Sequence, residues 1–318
     1  MWLQVRLYLL LGLLLAIIYG VIVGVASAIG AGSFLIYAII AIFFVLLQYL
    51  MGPSMVKWTM RVKWVSEREQ PQLHSMVAEL AKAAGIRKPK VGLSMIPIPN
   101  AFAFGRTQRD AKVCVTETLL KSLSSDELRA VMGHEICHIK HRDMMIMTIL
   151  SVFPLIIYFI AISLLFSGFG GRGRGGSPIA LIGIGLFLLY FLVSLLVLYG
   201  SRIREYSADL GSVKLGNRPR HLATALYKLA IGNARVPKES MQRVQGLKAF
   251  FVNDPSRAMR EVSDLKEVDL DMSGTIDYGE LMALQSKKVR LTTGDKIMEV
   301  MSTHPNMLKR IKHLSSLI

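Results

Sequence analysis

The sequence predicts a mainly α-helical integral membrane protein with four transmembrane helices, carrying a soluble α+β portion with a small β-sheet. Three observations lead there. Hydrophobic residues make up 52% of the 318-residue chain, and they gather in a few long runs instead of spreading evenly. Lysines and arginines, which give a formal net charge of +16, cluster where those runs end. The remaining segments are polar, with apolar residues at helical or alternating spacing.

The runs cover residues 7–28, 34–51, 144–166 and 179–200. Each is near the length of about 20 residues that a helix needs to cross a bilayer. One such run alone could be a core helix; four with charges only at their ends point to a membrane. The first run also resembles a cleaved signal peptide. Only Arg6 precedes it and a second span follows at once, so it reads as an uncleaved anchor.

The first turn, 27–33, is uncharged, whereas Lys57, Arg61 and Lys63 follow the second span. Lys140, His141 and Arg142 precede the third, and Arg202 and Arg204 follow the fourth. The positive-inside rule then puts both termini and the polar segments in the cytoplasm. Arg172 and Arg174, in the outer loop 168–177, are discordant but outnumbered. No aromatic-interleaved basic stripe marks a nucleic-acid binder; topology and anionic lipid headgroups explain the charge. Two cysteines, Cys114 and Cys137, imply no disulfide framework and favour a reducing compartment.

In the polar segment 61–143, Leu73, Val77 and Leu80 give helical spacing over 70–84, with Gly85 as a stop. Residues 91–95 and 112–116 read as strands, the second with Val113 and Val115 alternating, and 101–104 as a third. Ser124 and Glu127 form a capping box that starts the next helix.

That helix carries His134-Glu135-Ile136-Cys137-His138. Histidines four apart on a helix lie one turn above each other and can share one metal ion. Glu135, rotated by about 100°, is placed to take a proton from a water on that ion. This is the minimal arrangement of a zinc hydrolase. A third ligand has to come from elsewhere. Glu205 and Asp209, four apart just past the fourth span, offer a ligand and an acceptor for the far nitrogen of a ligating histidine. An ordinary exposed pair of acids is the plainer alternative. If both metal-bearing helices run unbroken into the third and fourth spans, the metal lies within about 10 Å of the membrane surface.

Taken together, these features resemble the HtpX-type membrane zinc metalloproteases of the M48 group. The resemblance rests on the N-terminal spans, Asn100-Ala-Phe-Ala-Phe-Gly105, the helix from Ser125 through the histidine pair to Asp143, the second hydrophobic hairpin, Glu205-Tyr-Ser-Ala-Asp209, and Thr303-His-Pro-Asn-Met-Leu-Lys-Arg310. It implies a zincin-type (gluzincin) catalytic domain in the cytoplasm, with His134, His138 and Glu205 holding one Zn²⁺ per subunit and Glu135 as the catalytic residue. It further implies a multi-pass protein of a prokaryotic inner (cell) membrane, cleaving unfolded or damaged membrane proteins in quality control and stress response, with the lipid bilayer as partner and no nucleic acid. Asn100, Ala101, Phe102 and Ala103 are expected to present an edge to which an extended peptide adds as a strand. An internal hairpin is the alternative. His304 is expected either to donate to the developing oxyanion or to orient the turn before Pro305.

The expected organisation is an N-terminal hairpin (1–57), a first protease segment (58–143), a second hairpin (144–200), a second protease segment (201–259), an insertion (260–291) and a C-terminal segment (292–318). The insertion is foreign to the resemblance. From Asp269 it reads Asp-Leu-Asp-Met-Ser-Gly-Thr-Ile-Asp-Tyr-Gly-Glu, the pattern of an EF-hand calcium loop. Asp269, Asp271, Ser273, Thr275, Asp277 and Glu280 stand at the donor positions, and Gly274 at the sharp turn. Met259, Val262 and Leu265 before it, and Leu281 and Leu284 after it, fit flanking helices. A solvated acidic loop, or a hand that no longer binds, is the alternative.

Three rival readings carry less. A prenyl-protein peptidase of the same superfamily calls for more spans. A calcium-responsive membrane binding protein with a structural zinc site has no use for Glu135. A scaffold or channel calls for polar residues along the spans, which have almost none.

Overall fold

The computed structural model describes residues 32–169, 178–236, 262, 265, 268–287 and 292–318. The first predicted span, 7–28, and the outer-loop arginines Arg172 and Arg174 lie outside them. In chain order the elements are α1 (Gly32–Thr59), β1 (Val62–Trp64), α2 (Pro71–Ala84), β2 (Lys90–Ser94), β3 (Ala101–Phe104), β4 (Lys112–Thr116), α3 (Glu117–Ser122), α4 (Ser125–Lys140), α5 (Asp143–Phe169), α6 (Pro178–Lys214), α7 (Pro219–Ala234), α8 (Tyr278–Ser286), α9 (Thr293–Val300) and α10 (Met307–Ser315). The chain divides into two units, residues 1–51 with 145–200, and residues 52–144 with 201–318.

In the first unit, Leu150, Ile157, Ile160, Ala161 and Leu164 of α5 are buried against Leu186, Val193 and Val197 of α6. Gly183 permits close approach, since a Cβ there would stand 2.9 Å from the backbone nitrogen of Leu165. Other faces expose Phe166, Leu181, Leu188 and Leu192, a distribution suited to lipid rather than water. Asp143–Phe166 and Pro178–Lys214 are long and apolar enough to cross a membrane, and the predicted third and fourth spans fall within them. The predicted second span falls within α1.

The second unit is built on a four-stranded sheet of order β1-β2-β4-β3. β2 and β4 are parallel, and β1 and β3 flank them antiparallel. Side chains alternate across the sheet as the pleat requires. Ala101, Val113 and Val115 join the main core, while Phe102, Phe104 and Cys114 pack with Val56 and Met60 on the other side. The three predicted strands are present within a residue or so of their expected limits. β1 was not expected, because its residues read only as the basic flank of the second span.

Around the sheet, α4 packs on α2, α7 and β3. Its Val131, Met132 and Ile136 share one core with Leu73, Val77 and Leu80 of α2 and Leu222, Leu226 and Leu229 of α7. Burying each such side chain stabilises the fold by about 1.5–3 kcal/mol. The predicted capping box starts α4: Ser124 N–H donates to Glu127 Oε2 at 2.9 Å, and Glu127 N–H to Ser124 Oγ at 3.3 Å.

One expectation about this helix fails. α4 does not continue into the third span: it ends at Lys140, and Arg142 takes a φ of +58° before α5 begins at Asp143. A non-glycine residue seldom adopts that left-handed conformation, so nothing in the sequence announced the break. α6, by contrast, is one helix from Pro178 to Lys214, continuous from the fourth span through Glu205 and Asp209.

Candidate metal centre

Helices α4 and α6 meet where neither carries bulk. A Cβ on Gly211 would stand 2.5 Å from Cys137 Sγ, and one on Gly133 would fall 2.8 Å from Ser212 Oγ. Ser212 Oγ donates to Ala130 O at 2.7 Å, and Arg129 Nη1 donates to Asn217 Oδ1 at 2.7 Å. These contacts tie the two helices together beside the histidine pair.

His134 and His138 turn their Nε2 atoms toward each other, 3.0 Å apart. Glu205 completes a triangle, with Oε2 3.5 Å from His134 Nε2 and Oε1 3.6 Å from His138 Nε2. The far nitrogens face carboxylates: His134 Nδ1 is 2.9 Å from Asp209 Oδ1, and His138 Nδ1 is 2.6 Å from Asp143 Oδ2. Donation through Nδ1–H leaves each Nε2 lone pair aimed at the centre of the triangle. Glu135 lies in the same cluster, with a carboxylate oxygen within 4.8 Å of a nitrogen of each histidine. His134, Glu135 and Glu205 are buried.

The C-terminal segment closes over this group. Arg310 is fully buried; its Nε and Nη2 donate to Asp209 Oδ2 and Oδ1 at 3.0 and 2.7 Å, and its Nη1 stands 3.2 Å from Glu205 Oε2. His304 Nδ1 lies 3.4 Å from Glu205 Oε1, and neither ring nitrogen of His304 has a hydrogen-bond partner. Arg202 Nη1 donates to the carbonyls of Glu299, Val300 and Ser302 at 2.8–2.9 Å, fixing the end of α9 just ahead of His304. Arg204 Nη1 donates to Asp143 O at 2.7 Å. Both arginines are buried; they count as basic flank in the topology argument, yet their head groups are committed to the protein.

These neighbours set the charge of the centre. Burial works against protonation of His134, but the carboxylates of Asp209 and Glu205 outweigh it and push its pKa up to about 9. Burial likewise opposes charge on Arg310, and the same two carboxylates hold it firmly protonated. Burial pushes the Cys137 thiol up to about 12, which makes it an inert packing group.

The residues fit a zinc ion. Two imidazole nitrogens and a carboxylate oxygen are the donor set of a catalytic site that keeps a fourth position open. Their separations of 3.0–3.6 Å bracket the roughly 3.3 Å between ligands on a tetrahedron with bonds of about 2.0–2.1 Å. Glu205 Oε2 is buried with an ion-pair contact to Arg310 but no hydrogen bond, and two lone pairs facing each other at 3.0 Å call for a cation between them.

Of the expected site residues, His134, Glu135, His138, Glu205, Asp209 and His304 come together. Asn100 to Ala103 lie on or beside β3, one of the two edge strands of the sheet, which packs on α4. Asn100 is buried, and its N–H donates to Thr116 Oγ1 at 2.9 Å. The acids of the 269–280 loop form a cluster of their own, with oxygens of Asp269, Asp271 and Glu280 within 4.8 Å of one another. Sequence reasoning missed the roles of Asp143, Arg204 and Arg310. Arg204 read as a charge flanking a span, while Asp143 and Arg310 appeared only within the motifs of the resemblance, with no role of their own.

A helix-borne histidine pair met by a glutamate from a distant helix is a group that could hold a metal ion, the kind of centre found in metal-dependent peptidases. The chain belongs to peptidase family M48, whose model matches residues 67–318. It is 49% identical over 229 residues to a "Protease HtpX homolog" of Methanothermobacter thermautotrophicus, covering 72% of this chain and 86% of that one. A "Protease HtpX homolog 2" of Methanosarcina mazei is 34% identical over 276 residues, covering 86% and 82%. Among solved structures, S. mikatae Ste24p shares the fold at a TM-score of 0.53 and 19% identity; the match covers 92% of this chain and 64% of that one. The HtpX-type resemblance read from the motifs therefore holds.

Proposed function

We propose that this protein is a membrane-bound zinc endopeptidase that hydrolyses peptide bonds of unfolded or damaged membrane proteins at the cytoplasmic face. The observation that carries the reading is the triangle of His134, His138 and Glu205, with Glu135 beside it. His134, His138 and Glu205 would hold the zinc ion, which when bound supplies Lewis acidity toward water and a scissile carbonyl.

The remaining work belongs to the protein's own side chains. Glu135 accepts a proton from the attacking water and delivers it to the departing amine. Asp209 and Asp143 hold the two histidines in one tautomer. His304, buried with Nδ1 facing Glu205 and no hydrogen-bond partner at Nε2, is available to donate through Nε2 to a substrate oxygen as negative charge develops there. An extended peptide adding to β3 would lie across α4 in main-chain register, which suits a sequence-tolerant protease. The basic flanks of the spans support the cytoplasmic orientation, as the names of the relatives support proteolysis.

The test is proteolysis of an unfolded substrate by the purified full-length protein in detergent. Activity is expected to vanish with a chelator, return with zinc, and be absent in Glu135→Gln although that variant keeps its zinc. Cleavage by metal-free protein, or substantial cleavage by Glu135→Gln, would refute the assignment.

A further inference from the structure

The family's chemistry leaves the segment 268–287 without a task, and its structure gives it one. Asp269 and Glu280 are only 4% and 6% exposed, and their oxygens approach each other and that of exposed Asp271 within 4.8 Å. Among the described residues, no lysine, arginine or histidine pairs with Asp269, Asp271, Asp277 or Glu280. Buried carboxylates without a cationic partner are costly, and natural proteins keep them where a metal compensates. Donors alternate along the chain through Ser273, Thr275 and Asp277, all of them oxygens, which select a hard cation.

The loop is also anchored from outside. Tyr227 of α7 donates its hydroxyl to Asp269 Oδ2 at 2.8 Å. Thr224, one turn earlier, accepts from Ile276 N–H through Oγ1 at 3.0 Å and donates to Ile276 O at 3.0 Å. A lone hand lacks the second hand that usually backs such a loop; here α7 satisfies the backbone at its middle. Ile276, Leu281 and Leu284 are buried in the core shared with Leu222 and Leu226 of α7 and Ile311 and Leu314 of α10. α8 packs on α10, the helix that carries Arg310.

We propose that residues 269–280 bind one Ca²⁺ ion, and that the bound ion fastens α8 against α7 and α10, the corner that supports Arg310. Asp269, Asp271, Ser273 and Glu280 supply side-chain oxygens, with Glu280 as the bidentate ligand, and Thr275 supplies its carbonyl. In the structure, Glu280 accepts N–H bonds from Leu270 at 2.6 Å and Asp277 at 2.9 Å, so its carboxylate already turns back over the loop.

Calorimetric titration of CaCl₂ into the full-length, zinc-loaded Glu135→Gln protein in detergent tests this without reading proteolysis. One calcium per chain is expected, with Mg²⁺ bound at least about tenfold more weakly. Glu280→Gln should abolish the heat, and Asp271→Ala, at an exposed position that spares the packing, should weaken it at least about tenfold. Glu79→Gln, on α2, should leave it unchanged. Hydrogen exchange should slow in residues 278–286 and 307–315 when calcium is added. No heat up to about 1 mM calcium, or heat retained in both loop variants, overturns the site. Binding without slower exchange in 307–315 overturns the coupling to α10. Because none of these readouts needs a working protease, failure here is separable from failure of the zinc assignment.

Discussion

Asp143 Oδ2 lies 2.6 Å from Nδ1 of His138, although Asp143 is the first residue of the next helix. The left-handed turn at Arg142 is what brings it back. Asp143→Asn should therefore weaken zinc binding by about 10–100-fold without loss of helix content, because the hydrogen bond from Arg204 goes to the Asp143 backbone carbonyl. Competition with a chromogenic chelator measures this. Wild-type zinc affinity in the variant would leave Asp143 with no part in orienting His138.

Arg310 is the one buried arginine or lysine that touches both Asp209 and Glu205 among the described residues. Replacing it with methionine takes the permanent positive charge away from two buried carboxylates and leaves them facing His134, and the metal-free protein should lose about 3–5 kcal/mol in a denaturant titration. Adding Asp209→Asn should recover some of that loss, because it removes one of the stranded charges. A double variant no more stable than Arg310→Met alone would mean that the arginine acts through packing.

The raised pKa of His134 gives two pH dependences of opposite sign. In the metal-free protein the ring gains a proton affinity that the unfolded chain, at about 6.5, does not have. The resulting stability is fully present below pH 6.5 and is lost as pH rises through about 9. Zinc must displace that proton, so its affinity should rise by roughly tenfold per pH unit over the same window. Binding heats in buffers of different ionisation enthalpy count the proton released. Zero release at about pH 7.5 would contradict the assignment of His134.

Gly211 faces Cys137 so closely that an added methyl group has no room. Gly211→Ala should cost about 1–3 kcal/mol by prising α4 from α6, and zinc affinity should fall with it. Pairing it with Cys137→Ala, which removes the sulfur it strikes, should restore much of both. A single variant that keeps zinc as tightly as wild type would show that the helix spacing does not set the metal site.

Much of this was legible in the sequence because it obeys local periodicity. His134 and His138, Glu205 and Asp209, and Ser124 with Glu127 are all pairs whose spacing alone puts them on one side of a helix. Val113 and Val115 announced a strand in the same way. What stayed hidden depends on long-range return of the chain. Arg310 reaches Asp209 across about a hundred residues, and no spacing rule connects them. Arg202 and Arg204 look like membrane-flanking charges because burial leaves no mark on a charged residue's identity. The turn at Arg142 uses a residue with no preference for the conformation it adopts, so the break between α4 and α5 was invisible. β1, three residues long, is too short to show alternation.

The centre is gathered from three stretches that leave the ribosome at well-separated times. His134 and His138 come first, Glu205 follows, and Arg310 lies 176 residues after His134. At elongation rates of about 5–20 residues per second, that gap is about 10–35 s. For this interval a nascent chain holds two donors without the third, then three without the guanidinium that stabilises their buried charge. Both apolar runs of the second hairpin are synthesised within that window. The order of synthesis thus leaves the metal centre without its guanidinium until both apolar runs have been made.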